Sequence, residues 1–150
     1  MRLVLQRVTW ARVKVENEVV GAIDNGFMVL VGAIKGDKDV DAEVLADKTV
    51  NLRVFGDGQG KMNLSLLDVG GSLLAVSQFT LYADTRKGRR PAFTDALEPV
   101  EAERLFEHFK KSVAASGIRV ESGVFGASME VELCNAGPVT IILNSDEMRK

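Results

Sequence analysis

Short runs of alternating or continuous apolar residues dominate the chain and predict a protein built mainly of β-strands. The runs lie at residues 2–8, 11–15, 18–23, 27–32, 52–55, 72–82, 118–122, 129–134 and 139–143. Glu16-Asn17 predicts a tight hairpin turn between two of these strands. The runs 129–134 and 139–143 predict a second hairpin, with Asn-Ala-Gly-Pro at its tip.

Apolar residues at helical spacing predict two helices, from about Asp39 to Asn51 and from about Val100 to Ser116. Acidic residues at the start of the first helix suit the free N–H groups and the positive end of the helix dipole. Strands and helices do not alternate regularly. The pattern therefore predicts an α+β protein with a largely antiparallel β core, either barrel-like or made of two sheets.

Composition favours one soluble domain spanning residues 1–150, because 46% of the residues are hydrophobic and no apolar run is long enough to span a membrane. The opening residues alternate like a strand and do not resemble a signal peptide. A single cysteine, Cys134, suits a reducing cytoplasm. The net charge of −2 argues against broad nonspecific binding of nucleic acid, although a local basic patch is compatible with it.

Several familiar kinds of catalytic site are excluded by residue counts. His108 is the single histidine and lies on a predicted helix, so a solvated surface position is favoured over a general base. One histidine and one cysteine do not supply a transition-metal site, and we expect no metal and no cofactor. The glycine-rich segment 56–60 lacks the ending of a nucleotide-binding loop and predicts a turn.

Two segments that interrupt strand-like apolar runs carry the candidate chemistry. The first is Ser77-Gln78-Phe79-Thr80, whose polar side chains have a plain alternative as ordinary strand residues. The second is Gly137-Pro138, where proline removes a ladder donor and leaves the Ala136 and Gly137 carbonyls able to face a ligand. From physics alone the Gly-Pro bond can be cis, although a trans turn is the more frequent arrangement.

The segments 77–81 (Ser-Gln-Phe-Thr-Leu) and 135–140 (Asn-Ala-Gly-Pro-Val-Thr) resemble the paired signatures of the D-aminoacyl-tRNA deacylase family. The resemblance runs from Met1 to about Asp146. It includes further matching segments at residues 1–8, 60–65 and 87–93. It implies an enzyme that hydrolyses D-aminoacyl-tRNA, and mischarged glycyl-tRNA, as a homodimer with its active sites at the subunit interface.

The resemblance assigns catalysis to Ser77, Gln78, Phe79 and Thr80. Backbone N–H groups around Gln78 and Phe79, with the two hydroxyls, would stabilise the oxyanion. The ribose 2′-hydroxyl would help to place or activate water, so that hydrolysis needs no metal. Thr80 as a covalent nucleophile is an alternative that requires a base, and the sequence offers none.

The resemblance assigns chiral selectivity to Gly137-Pro138, as a cis bond that reaches into the partner's active site. The carbonyls of Ala136 and Gly137 would accept hydrogen bonds from the substrate ammonium. An L side chain would then strike the backbone, whereas glycine would not be excluded. Arg7 is assigned to fix the Gly-Pro orientation, and an exposed strand charge is its plain alternative.

The RNA would be held at two further places. Phe125 and Met129 match the segment that lines the pocket for the terminal adenosine, although core packing explains both residues equally well. A basic loop would meet phosphates of the acceptor stem, with a solvated charge run as its alternative. Its residues are Arg86, Lys87, Arg89 and Arg90. Ala92 replaces the serine that is common in the family at this point of the loop.

Three other functions are compatible with the sequence. One is an L-selective relative of similar fold, and another is an editing domain like that of archaeal threonyl-tRNA synthetase. Phe79 within Ser-Gln-Phe-Thr, together with Gly137-Pro138, favours the D-selective enzyme. The third is a non-catalytic dimer that binds tRNA through residues 86–90.

Overall fold

The computed structural model describes residues 1–149 and shows a mixed α+β architecture. Its strands are β1 (Arg2–Val15), β2 (Glu18–Ile23), β3 (Gly26–Gly32), β4 (Phe55–Gly56), β5 (Met62–Leu64), β6 (Ser72–Ser77), β7 (Arg119–Ser122) and β8 (Glu130–Asn144). Its α-helices are α1 (Asp39–Asn51), α2 (Leu66–Val69) and α3 (Pro99–Ala115). Two short 3₁₀ helices span Phe79–Tyr82 and Ser145–Glu147. None of the helices in residues 1–149 is both long and apolar enough to cross a membrane.

The long strand β1 organises the main sheet. One of its edges pairs antiparallel with β3 and then with β2, and its other edge pairs antiparallel with β8. Strands β3, β6 and β7 continue the sheet in parallel pairs. β7 returns to β2 so closely that a Cβ atom on Gly21 would lie 2.8 Å from the Ser122 carbonyl oxygen. The main sheet is therefore a nearly closed barrel, and β4 and β5 form a small second sheet.

Alternation along the strands divides the core into two clusters. On β6, Leu73 and Ala75 face α1 and α3, whereas Leu74 and Val76 point into the barrel. Leu105 and Phe109 of α3 join the helix-side cluster and are fully buried. The predicted barrel-like core is confirmed, with parallel pairs added to a largely antiparallel sheet.

Local sequence signals placed several elements correctly. α1 has the predicted bounds, and α3 begins one residue before its predicted start, with Pro99 in the first turn. Glu16 and Asn17 form the predicted hairpin turn, with positive φ angles of 50° and 66°. The segments 2–8 and 11–15, predicted as separate strands, are the single strand β1.

The predicted hairpin of residues 129–134 and 139–143 is wrong, because both segments belong to the single strand β8. β1 is long enough to pair with both of them. Its register joins Gln6 to Thr140 and Val8 to Asn135. The Asn-Ala-Gly-Pro segment is consequently a bulge in a continuous strand and not the tip of a hairpin.

Three other expectations need correction. The predicted strand 52–55 is reduced to Phe55–Gly56 of β4. The predicted strand 72–82 ends at Ser77, because β3 ends at Gly32 and offers no further partner. The short helix α2 was not predicted, although Ser65 and Asp68 form a capping box, with the Asp68 N–H 3.1 Å from the Ser65 hydroxyl.

Candidate active site

The first candidate segment becomes a helical turn at the end of β6. The Gln78 N–H donates to the Val31 carbonyl at 2.8 Å, and the chain then forms the 3₁₀ helix Phe79–Tyr82. This corrects the expectation that the Gln78 N–H is an oxyanion donor, because it is already bonded. The N–H groups of Phe79 and Thr80 lie in the first turn, where a helix provides no internal partner.

The side chains of this turn are polar and accessible. The Gln78 amide nitrogen donates a hydrogen bond to the Thr80 hydroxyl oxygen, and Thr80 is exposed. An amide nitrogen has no basic lone pair, so this contact does not activate Thr80 as a nucleophile. The arrangement leaves the hydroxyl proton of Thr80 able to donate to a bound group.

Two packing contacts hold the turn against the rest of the protein. Phe79 is 57% exposed, and its ring meets the Phe93 ring edge-on with a centroid separation of 4.9 Å. On its other side the turn lies directly on β3. A Cβ atom on Gly32 would lie 3.0 Å from both the Gln78 carbonyl oxygen and the Leu81 Cβ atom, so glycine permits this close approach.

The second candidate segment is a bulge in β8. Residues 136–139 stand opposite Arg7 alone in the β1 register and have no strand partner there. The Gly137–Pro138 peptide bond is cis, and both residues are exposed. The Asn135 side chain closes the bulge, because its oxygen accepts from the Val139 N–H at 3.0 Å.

Arg7 spans the bulge from the facing strand. Its Nε donates to the Ala136 carbonyl at 3.0 Å, and its Nη1 donates to the Val54 carbonyl at 2.6 Å. The alternative of an ordinary exposed strand charge is therefore wrong, since the half-buried guanidinium joins two segments of backbone. The Ala136 carbonyl accepts this one hydrogen bond from Arg7, which leaves its second lone pair for another donor.

The two segments lie at opposite ends of the same stretch of β1. Arg2 donates to the Leu81 carbonyl of the helical turn, whereas Arg7 donates to the Ala136 carbonyl of the bulge. These arginines are five positions apart on β1, which corresponds to about 17 Å along the strand. The two segments are thus bonded to well-separated positions of β1.

Phe125 and Met129 have separate surroundings. The Phe125 ring lies 6.1 Å from that of Phe106, on the helix side of the sheet. Met129 packs against the barrel cluster, and its sulfur lies 2.5 Å from where a Cβ atom on Gly123 would be. The two predicted adenosine residues thus belong to different apolar clusters.

The predicted basic loop is closed by paired backbone hydrogen bonds between Asp84 and Ala92, of 2.7 and 2.9 Å. Arg86 lies back on Asp84 through its Nε at 2.9 Å and its Nη2 at 2.8 Å. Hydrogen bonds from Arg86 lower the pKa of the Asp84 carboxyl to about 2. Three further basic side chains of the loop are exposed, namely those of Lys87, Arg89 and Arg90.

Sequence analysis overlooked three residues that support the helical turn: Arg2, Gly32 and Phe93. Gly32 carries a weak signal in the sequence, because it is a glycine at the end of a buried strand where no predicted turn requires one. Arg2 and Phe93 carry no such signal, since their contacts join residues far apart in the chain.

Comparisons with known proteins show the family of the chain. Residues 4–144 match the profile of the family described as D-Tyr-tRNA(Tyr) deacylase. A D-aminoacyl-tRNA deacylase of Bacillus pumilus (strain SAFR-032) is 59% identical over 147 residues, covering 98% of this chain and 100% of that protein. A D-aminoacyl-tRNA deacylase of Thermus aquaticus is 56% identical over 147 residues, covering 98% of this chain and 97% of that protein.

Two solved structures share the fold. One, titled c-Myc DNA Unwinding Element Binding Protein, has a TM-score of 0.90 and 39% identity, with 96% of this chain and 98% of that chain covered. The other, described as a probable eukaryotic D-amino acid tRNA deacylase, has a TM-score of 0.80 and 20% identity, with 95% and 98% covered. At that identity the second structure supports the fold alone.

The fold, the polar turn and these relatives define the class of the protein as a hydrolase that acts on ester bonds. More specifically, the chain belongs to the D-Tyr-tRNA(Tyr) deacylase family, whose profile covers almost its whole length.

Proposed function

We propose that this chain hydrolyses the ester that joins a D-amino acid to the terminal ribose of tRNA. The observation that carries the proposal is the exposed turn at Phe79 and Thr80, which presents two first-turn N–H groups and a hydroxyl to solvent. Such donors suit the negative charge that develops on a carbonyl oxygen during ester hydrolysis. Family membership supplies the substrate class.

The reaction is an addition followed by an elimination. A water oxygen attacks the ester carbonyl carbon and loses one proton. The bond from that carbon to the ribose oxygen then breaks, the ribose oxygen takes up a proton, and a free amino acid and tRNA leave. The Phe79 and Thr80 N–H groups stabilise the oxyanion. The neighbouring 2′-hydroxyl positions the water, so no metal and no side-chain base takes part.

Selectivity is assigned to the bulge at Gly137–Pro138 of the partner subunit. The Gly137 carbonyl and the second lone pair of the Ala136 carbonyl are assigned to the substrate ammonium, while Arg7 holds the Ala136 carbonyl in place. With ammonium and ester both fixed, inversion of the α-carbon exchanges the side chain and the hydrogen. An L side chain then meets backbone atoms, whereas a D side chain points outward. Glycine has no side chain to exclude, so glycyl-tRNA is also a substrate.

The spacing of the two segments along β1 supports a homodimer. The arginines that bond the helical turn and the bulge lie about 17 Å apart on β1, so the bulge is proposed to reach the turn of a second copy. Apolar surface is available for this contact, because Ile142 on β8 is 60% exposed and Phe79 is 57% exposed. In the proposed dimer, each active site contains residues of both subunits.

The tRNA is proposed to lie along the basic loop. The charge of Arg86 is partly neutralised by Asp84, so phosphate binding falls mainly to Lys87, Arg89 and Arg90. Phe125 and Met129 are assigned to the lining of the pocket for the terminal adenosine. A single domain of residues 1–150 working in the cytoplasm, where charged tRNA is found, completes the proposal.

Deacylation of D-tyrosyl-tRNA and L-tyrosyl-tRNA under matched conditions tests the proposed function. We expect the D ester to be hydrolysed at nanomolar to micromolar enzyme while the L ester keeps its spontaneous rate. Faster hydrolysis of the L ester would identify an L-selective editing enzyme. Binding of both tRNAs without hydrolysis would identify a non-catalytic binding protein. Sedimentation of the same preparation reports whether the active species is a dimer.

A further inference from the structure

Arg2 makes two contacts with the helical turn Phe79–Tyr82 and a third with the end of β8. Its Nη1 donates to the Leu81 carbonyl at 2.9 Å, and its guanidinium carbon lies 4.9 Å from the centre of the Tyr82 ring. Its Nε donates to the Asn144 side-chain oxygen at 2.7 Å. The single guanidinium thus ties the turn to the ends of β1 and β8.

The chemistry of the turn makes such a cation useful. The last carbonyls of a helix have no internal partner and carry partial negative charge. Leu81 lies in a helix of only four residues, so its carbonyl depends on an external donor. Arginine can satisfy that carbonyl and Asn144 together because its donors form a rigid planar fork. The Tyr82 ring face adds a cation–π contact.

The opposite end of the same turn carries the groups assigned to catalysis. The Phe79 and Thr80 N–H groups lie only one or two residues before Leu81, so their direction follows the orientation of this short helix. The turn also lies directly against Gly32, on the strand next to β1. Loss of the Arg2 contact would therefore allow the turn to tilt about its contact with β3.

We infer that Arg2 is a positioning residue that orients the Phe79 and Thr80 oxyanion donors through the far end of their own helix. The inference rests on the proposed function for its effect on rate. A misplacement of about 1 Å in catalytic groups can lower a rate by up to about 100-fold, so a modest tilt is sufficient.

The test compares Arg2→Met and Arg2→Lys with Arg12→Met, a matched control on the same strand. Arg12 bonds Glu132 at 2.8 Å on the exposed part of β1 and makes no contact with the turn. Single-turnover and steady-state deacylation of D-tyrosyl-tRNA would give kcat and KM, and thermal unfolding would report stability. Tyr82 is the only tyrosine in the chain, so 3-fluorotyrosine gives one ¹⁹F signal that reports directly on the turn.

We expect Arg2→Met to lower kcat about tenfold, with KM changed less than twofold and the ¹⁹F signal displaced. Arg2→Lys keeps the charge and a single donor nitrogen but not the planar fork, so its kcat should fall between those of Arg2→Met and the unchanged protein. Arg12→Met should leave kcat and the ¹⁹F signal as they are.

Unchanged kcat and ¹⁹F signal in Arg2→Met would overturn the inference. A loss of kcat that is present near the melting temperature of the variant and absent well below it would also overturn the inference, because Arg2 would then contribute to stability alone. If the unchanged chain hydrolyses no D-tyrosyl-tRNA, the proposed function fails, and the ¹⁹F signal still decides whether Arg2 holds the turn. A displaced signal in Arg2→Met but not in Arg12→Met would retain that role.

Discussion

The helical turn after β6 and the bulge in β8 are supported in different ways. Backbone hydrogen bonds enclose the turn, from the Gln78 N–H to the Val31 carbonyl and from the Ala83 N–H to the Thr80 carbonyl. The bulge has no partners on β1 over residues 136–139, and side chains support it instead. These are Arg7 and Asn135, which bond the Ala136 carbonyl and the Val139 N–H.

This difference determines how sensitive each segment is to substitution. A backbone network survives most side-chain changes, with Arg2 as the inferred exception, whereas a bulge supported by two side chains loses its shape when one of them moves. We therefore expect the largest functional losses from changes at the bulge. Smaller losses should follow changes on the basic loop, and almost none should follow changes on the helical face of the protein.

The largest effect is expected from Gly137→Ala. Gly137 has a φ angle of +124°, and a Cβ atom there would lie 2.7 Å from Arg7 Nη2 and 3.0 Å from Val139 Cγ2. Both the strain and the displacement of Arg7 would distort the bulge. The value of kcat/KM for D-tyrosyl-tRNA should fall about 100-fold, as expected for misplaced catalytic geometry.

The matched control is Gly58→Ala, in an exposed turn where a Cβ atom would meet nothing within 4 Å. It should retain wild-type kcat/KM. Equal activity of Gly137→Ala and Gly58→Ala would show that the bulge does not take part in the reaction, and it would remove the contrast between the two segments.

Arg7→Met should have the next largest effect. It removes the donors to the Ala136 and Val54 carbonyls. Val54 is buried, so its carbonyl would lose a hydrogen bond inside the protein. We expect about 1–3 kcal/mol lower free energy of unfolding in urea and roughly tenfold lower kcat/KM. Arg53→Met, which loses one exposed bond to the Asn63 carbonyl, is the control. Comparable losses in the two variants would argue that Arg7 is an ordinary surface arginine.

A smaller effect is expected when Arg89 and Arg90 are both replaced by alanine. Both side chains are exposed, and the proposal assigns them to phosphates. The slope of log K against log salt for tRNA binding should fall by about 2, one for each lost contact. Discrimination between D and L esters should persist. The control is the double alanine replacement of Lys111 and Arg119, which are exposed outside the loop and should leave the slope unchanged. Identical slopes for the two double variants would show that the loop is an ordinary solvated surface.

The smallest effect is expected from His108→Ala and from metal chelation. The His108 Nε2 of α3 lies 2.9 Å from the Glu43 carboxylate of α1, and neither residue belongs to either candidate segment. Deacylation should stay within about twofold of its original rate, because neither an imidazole nor a metal enters the proposed chemistry. A hundredfold loss of activity from either treatment would refute the proposed mechanism without metal or side-chain base.

Local signals explain how much of the fold could be predicted. The helix from Asp39 to Asn51 was found because helical spacing and acidic capping lie within a few neighbouring residues. The hairpin predicted for residues 129–143 failed because Gly-Pro commonly marks a turn, whereas a single long partner strand can hold both flanking segments in one line.

In the candidate site, too, some features could be predicted from the sequence and others could not. Ser77, Gln78, Thr80 and Pro138 could be singled out because they interrupt apolar strands. Their arrangement could not be predicted. Whether the Gln78 N–H was free depended on where β3 ended, and the role of Arg2 depended on a carbonyl 79 positions away in the chain.

The sequence by itself determined the two long helices, most of the strand segments and the residue types of the candidate chemistry, because hydrophobic period, capping and turn chemistry act between close neighbours in the chain. Only the tertiary structure decided that Arg2 and Arg7 of one strand each support a different segment. Hydrogen bonds between distant segments depend on the register of β1 against β3 and β8, and burial across the whole sheet fixes that register.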